Sequence, residues 1–178
     1  GAVFHVAQLA WLAGLVVPAA IRSALLPVLG RARTNPLEHQ RELNQATDLC
    51  FGLLPYGLFG GYAIMTFFAP LAFPEAYLDG THGASAVDVF TVLLAGWGLT
   101  LLATPTYTSL MAGQHPWRFT LFILLVLLAA MALGFMLVLE GPDDAGQKLY
   151  AGAVASSLSA GVLLLLSWWM SGELDVVR

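Results

Sequence analysis

Five long apolar runs leave this chain few ways to fold. They lie at about 2–29, 49–73, 87–111, 117–139 and 150–170, and each meets the roughly 20 residues that a helix needs to cross hydrocarbon. Only Arg22, Asp88 and Arg118 carry charge inside these runs, and the last two stand at run ends, where headgroups and water are within reach. A soluble domain usually has about 25% charged residues, whereas this chain of 178 residues has 10%, with 58% hydrophobic. Transmembrane β-strands alternate apolar and polar residues over about 10 positions, a pattern that continuous runs do not show. The expected fold is an all-α integral membrane protein, a bundle of five transmembrane helices forming a single membrane domain over 1–178.

Threading the runs alternately across the bilayer sorts the basic residues. Arg22, Arg31, Arg33, Arg41, Arg118 and Arg178 fall on one side and Lys148 on the other, which places the first group in the cytoplasm. The N-terminus is then outside and the C-terminus cytoplasmic. The first run lacks the basic flank of a signal peptide and is too long for a signal core, so it reads as a true span. The 30–48 segment is the long cytoplasmic connector, and its stretch from Pro36 to Gln45 is expected as a short polar surface helix. The outer connector from Pro74 to Ser85, with its Gly80-Thr81-His82-Gly83 turn chemistry, should be irregular.

Helix packing is written in small residues, which let backbones approach closely. Gly57 and Gly61 form a G-x-x-x-G in the second run, and Ala153, Ser157 and Gly161 make a row in the fifth. The fourth run is rich in leucine and should face lipid or a large apolar partner. Pro18, Pro55 and Pro105 lie inside runs, and each frees the carbonyl four residues earlier, at Gly14, Phe51 and Leu101. Trp11 to Pro18 and Trp97 to Pro105 carry a faint internal similarity.

Chemistry has few places to sit. His5, Gln8, Leu12, Leu15, Ala19 and Arg22 share one face of the first helix, and that polar stripe is expected to look into the bundle. An ionisable group at membrane depth is a functional candidate because leaving it unpaired there is costly, although Arg22 also suits an interfacial anchor. The lone pair of a neutral His5 could ligate the iron of heme b or the magnesium of a chlorophyll-type pigment, or His5 could hydrogen-bond a quinone. Gln8 and Arg22 would line the same pocket, and His82 is the one other histidine placed on the outer side. The bland reading of His5 is an interfacial histidine bonded to water. The single Cys50 excludes an intramolecular disulfide, no Cys/His spacing suits zinc, and no nucleotide-binding or hydrolase motif is present. The charge of −4 without a basic cluster argues against nucleic acid.

The segment from His5 through Trp11-Leu12-Ala13-Gly14-Leu15 to Pro18 and Arg22 resembles the first helix of the HemJ-type membrane protoporphyrinogen oxidases and of CopD-like small membrane proteins. The resemblance implies a heme-associated His5. That family also uses a lysine in a later helix, whereas the one lysine here is Lys148 in an outer loop, which implies a relative that keeps the scaffold without the oxidase activity.

Two functional expectations follow. The first is a non-catalytic accessory or structural subunit of a larger complex in a bacterial inner membrane, respiratory or photosynthetic, with lipid and other membrane subunits as partners. The second is a heme- or quinone-associated redox protein, with His5 as ligand.

Overall fold

A computed structural model describes residues 2–72, 78, 85–113, 116–136 and 145–176, with the backbone alone at 2–13, 69, 72, 116, 145–146 and 172–176. Five helices account for it: α1 Ala2–Ala32, α2 Pro36–Ala72, α3 Ala86–Ala112, α4 Pro116–Gly134 and α5 Ala145–Val176. All five contain segments long and apolar enough to cross a membrane, so the all-helical, multi-pass expectation agrees with the structure. Paired contacts fix their directions. Gly14 meets Trp97 and Arg22 meets Tyr107, so α1 runs parallel to α3. Gly61 meets Leu94 and His39 meets Ser109, so α2 runs against it. Ser157 meets Val92 and Ser167 meets Thr106, so α5 runs with α3.

Helix α3 is the hub. In its spanning window 44% of residues are buried, against 6% in α4, so α3 is surrounded by protein while α4 stands at the rim. Its start is set by a capping box. The Asp88 amide donates to Ser85 Oγ at 3.1 Å, and the Ser85 amide donates to Asp88 Oδ2 at 3.4 Å; these bonds occupy amides that the first turn leaves open. Asp88 is thereby explained as a cap rather than a charge in the hydrocarbon.

Two sequence expectations require correction. The 30–48 connector does not hold a separate surface helix, because α2 runs unbroken from Pro36 through the whole second span. Asn35 Oδ1 accepts the Glu38 amide at 3.4 Å, Thr47 bonds back to the Leu43 carbonyl at 2.8 Å, and no glycine or proline interrupts residues 37–51. Nothing stops the helix once it starts. With 37 residues, α2 reaches about 55 Å at 1.5 Å per residue, well beyond the hydrocarbon thickness. Its first turns therefore stand beside the end of α1, where Leu25, Leu29 and Ala46 form one buried cluster with Ala112 against it.

The second correction concerns the described end of the polar stripe of α1, at Ala19 and Arg22. The face turned into the bundle is centred on Pro18, Leu25, Leu29 and Ala32, all buried, while Ala19 and Arg22 are exposed. Leu25 and Leu29 pack there with Ala46, and Arg22 keeps its charge at the flank. Of the outer connector, only Leu78 and Ser85 are described, so its expected irregularity lies outside the described residues.

Glycines set the helix spacing. A Cβ at Gly57 would fall inside the Trp97 ring, whereas one at Gly60 would meet nothing within 4 Å. Gly57→Leu should therefore destabilise the bundle by about 1–3 kcal/mol, as over-packing does, and Gly60→Leu should leave the thermal midpoint in detergent unchanged. Equal losses from the two would remove Gly57 from its place against the indole.

Candidate functional site

The most constrained region of the molecule surrounds three consecutive residues of α3. Trp97 is buried between α1 and α2: its Cδ1 lies 3.1 Å from the position of a Cβ at Gly14, and its far ring edge covers Gly57. Gly96 presses on α5, where an added Cβ would come within 2.9 Å of Ser157 Cα, and Gly98 presses on α2, where it would come within 3.0 Å of Leu54 Cδ1. One Gly-Trp-Gly triplet thus touches three other helices, and each glycine supplies room for a neighbour rather than unusual backbone geometry.

A hydrogen bond ties this triplet to α1. Trp97 Nε1–H donates to the Gly14 carbonyl at 2.7 Å. Proline at position 18 has no N–H to give that carbonyl, so the indole takes the place of the missing helical donor. Cys50 and Leu101 complete the floor, both fully buried, with Ile21, Leu53 and Leu58 packed against them. The Cys50 thiol is enclosed by apolar side chains and is placed as a packing residue.

The seam between α3 and α5 is also polar in small steps. Ser157 Oγ donates to the Val92 carbonyl at 2.6 Å, and Thr106 and Ser167 share a hydroxyl–hydroxyl bond of 2.9 Å. Ala153 is buried against Val89, and Gly161 lies 3.8 Å, measured from its missing Cβ, from Leu99. Thr100, Thr104 and Thr108 each turn a hydroxyl back to the carbonyl four residues earlier, which satisfies them without another helix.

A second cluster occupies the end of the bundle where α1 and α3 finish and α4 begins. Arg22 Nη1 reaches the Tyr107 hydroxyl at 3.4 Å. Tyr107 in turn stacks at an angle on Phe119 and Phe122, with ring centroids 5.7 and 6.0 Å away. Arg118 lies over the Trp117 ring at 5.6 Å. On the α2 side of the same end, His39 Nε2 bonds Ser109 Oγ at 2.8 Å, while its buried Nδ1 has no partner among the described residues.

The sequence candidates therefore separate. Gly57, Gly61, Ala153, Ser157 and Gly161 all stand at helix contacts with α3. Arg22 is exposed and bonded to Tyr107. His5 and Gln8 lie on α1, but their side chains are outside the described residues, as is His82 altogether. Among the described residues no three His, Cys, Asp or Glu side chains gather as a metal site. The contacts of Tyr107 and Ser109 were not legible, because their partners Arg22 and His39 come from two other helices and none of the four sits in a motif. Pro18 did give half of a signal: a freed Gly14 carbonyl needs a donor, and Trp97 was an available one.

Compared with known protein families, curated proteins and solved structures, the chain matches none.

The Trp97–Gly14 bond makes a specific demand on its neighbours. Trp97→Phe removes the donor and should cost about 1–3 kcal/mol by leaving a buried carbonyl unmet, on top of the lost ring volume. In a Pro18→Ala background the helix regains its own donor. The same Trp97 substitution should then cost about 1 kcal/mol less, measured by reversible unfolding in mixed micelles. Identical costs in both backgrounds would mean that the indole N–H does not replace the missing amide.

Proposed function

We propose that this chain is a non-catalytic subunit of a larger membrane complex, held in a bacterial energy-converting membrane through its α2 and α4 faces. One observation carries the reading. Tyr56 points away from the bundle, 79% exposed, and its hydroxyl has no hydrogen-bond partner among the described residues. Its neighbour Gly57 touches Trp97 near the middle of α3, so in a bilayer the Tyr56 phenol stands at mid-depth. Tyrosines favour the membrane interfaces, where the hydroxyl meets water or headgroups; at mid-depth an unpaired hydroxyl is costly.

A partner helix would remove that cost. Gly52 and Gly60 flank Tyr56 one turn-and-a-bit either side on the same outward face, and neither has anything within 4 Å of an added Cβ. That opening admits a close backbone, whose carbonyls or side chains can accept from the phenol. Phe51, Phe59 and Tyr62 extend the face. On α4, Leu121, Leu124, Leu128 and Met131 form an outward seam with alternating spacings of three and four, the spacing that pairs helices in left-handed bundles. The interior supports the non-catalytic part of the reading: the polar groups of α3 and α5 bond to one another or to helix carbonyls.

The test is the mass of the particle extracted in mild detergent, with oxidised and dithionite-reduced spectra on the same sample. The expected result is a particle far heavier than the 19.0 kDa chain, from which Tyr56→Leu and Gly60→Leu release the chain in folded form. A particle of about one chain whose reduced heme bands disappear in His5→Ala would instead establish the redox alternative.

Orientation is checked separately. A cysteine placed at Thr81 should react with an impermeant thiol reagent in intact cells, and one at Thr34 should not. Native Cys50, buried beneath Trp97 and Leu101, should stay unlabelled until the protein is denatured. Labelling at Thr34 in place of Thr81 would reverse the assignment of a cytoplasmic C-terminus.

A further inference from the structure

The cluster around Arg22 has unspent binding capacity. A guanidinium offers five N–H donors in a planar fork. Among the described residues, the one recorded bond of Arg22 is the long 3.4 Å contact to Tyr107, and the residue is exposed. Among the described side chains the acids at this end, Glu38, Glu42 and Asp48, belong to α2, while Glu173 and Asp175 stand at the end of α5 with side chains outside the described residues. Helix α2 meets α1 at the cluster of Cys50, Trp97 and Leu101, against which Ile21 packs. Arg22 faces instead toward α4, across the floor formed by Tyr107.

The level of this group along the bundle is also fixed. Tyr107 touches Phe119 and Phe122, in the first two turns of α4, and Trp117 and Arg118 stand in the first. With 19 residues, α4 measures about 28 Å, close to the hydrocarbon thickness, so its first turn marks a membrane boundary. Trp117 is 60% exposed there, as interfacial tryptophans are. Arg22, Arg118 and Trp117 thus lie at the depth of lipid phosphates, while Arg31 lies nine residues further along α1, about 13 Å beyond.

We infer that the notch between α1 and α4, floored by Tyr107, is a binding site for an anionic phospholipid. Arg22 takes the phosphate, for which its donor fork is suited. Tyr107 keeps the guanidinium turned into the notch, and Arg118 supplies a second positive charge at the rim. The acyl chains lie in the notch itself, between α1 and α4. Basic pockets between helices on the cytoplasmic side take acidic headgroups by this chemistry. The inference needs the chain in a bilayer but not the partner subunit proposed above.

The experiment is native mass spectrometry of the full chain in detergent, titrated in parallel with phosphatidylglycerol, phosphatidylcholine of the same acyl chains, and inorganic phosphate. The expected result is a phosphatidylglycerol affinity at least fivefold above phosphatidylcholine, with no adduct from inorganic phosphate. Arg22→Gln should abolish that preference, Tyr107→Phe should reduce it, and Arg31→Gln, whose residue bonds its own helix at the Pro27 carbonyl, should keep it. Equal affinity of the parent chain for both lipids overturns the site and needs no variant to fold. Retained preference in Arg22→Gln overturns the assignment to Arg22. Binding of free phosphate as tight as that of the lipid overturns the lipid as ligand. A protein that co-purifies and is lost only in Arg22→Gln, with no lipid preference in the parent, gives the guanidinium to a partner's acid and likewise overturns it.

Discussion

The hydrogen bond from Trp97 Nε1 to the Gly14 carbonyl, 2.7 Å long, organises the rest of this bundle. Inside a bilayer no water competes for a broken helix, so a carbonyl freed by Pro18 has to be met by protein. The indole meets it from a neighbouring helix, and that fixes both the distance between α1 and α3 and their relative height. Once Trp97 lies flat between them, α2 can close over the ring only where it has no side chain, which is Gly57. The proline, the tryptophan and the glycine thus form one device drawn from three helices.

The same logic explains why α3 is central although α4 and α5 are the more apolar helices. Lipid offers helices no hydrophobic reward for meeting, so association rests on close packing and short polar bonds. Helix α3 carries both kinds of residue: Gly96 and Gly98 for approach, and Thr106 with the Val92 carbonyl for bonds to Ser167 and Ser157. Helix α4 carries almost none of either. Its leucines bury well in lipid, and it joins the bundle through Phe119, Phe122 and Val126 against Tyr107, Leu110 and α5. The burial of 44% against 6% follows from that difference in composition rather than from hydrophobicity.

How much of this could be read in the sequence depended on the range of the interaction. Five helices were legible because spanning length and charge exclusion are local properties of each run. The pairing of Gly57 and Gly61 with some neighbour was legible as a pattern, but its partners Trp97 and Leu94 were not, since nothing in α2 points along the chain to α3. The continuity of α2 through residues 36–48 was misjudged because polarity was taken to mark a boundary, whereas a helix ends only where a breaker or a cap ends it. The rotation of α1 was misjudged for a related reason. A polar stripe was given the inward face, yet in its described half Ala19 and Arg22 are exposed while Leu25 and Leu29 interlock with Ala46. His5 and Gln8 stand on the described helix without described side chains, so the heme, quinone and pigment expectations rest on the same residues as before.

These contrasts divide the molecule into a fixed part and an available part. Around Trp97 every small residue already has a neighbour, and a ligand there would have to displace a helix. Outward on α2, Gly52 and Gly60 are the glycines without one, and they bracket the tyrosine whose hydroxyl has no partner among the described residues. At the foot of α4, Arg22 has the Tyr107 hydroxyl as its partner among the described residues. The two openings lie apart, one on the outward face of α2 around Tyr56 and the other beside α4 where Arg22 meets Tyr107. A helix seated on α2 and a lipid seated against α4 would therefore not compete for space. Their requirements also differ in kind: the first depends on shape and one phenolic proton, the second on charge. A bundle of this size can serve as a joint between a protein and its surrounding lipid because its own polar requirements are met at the centre, leaving its outer faces free for both.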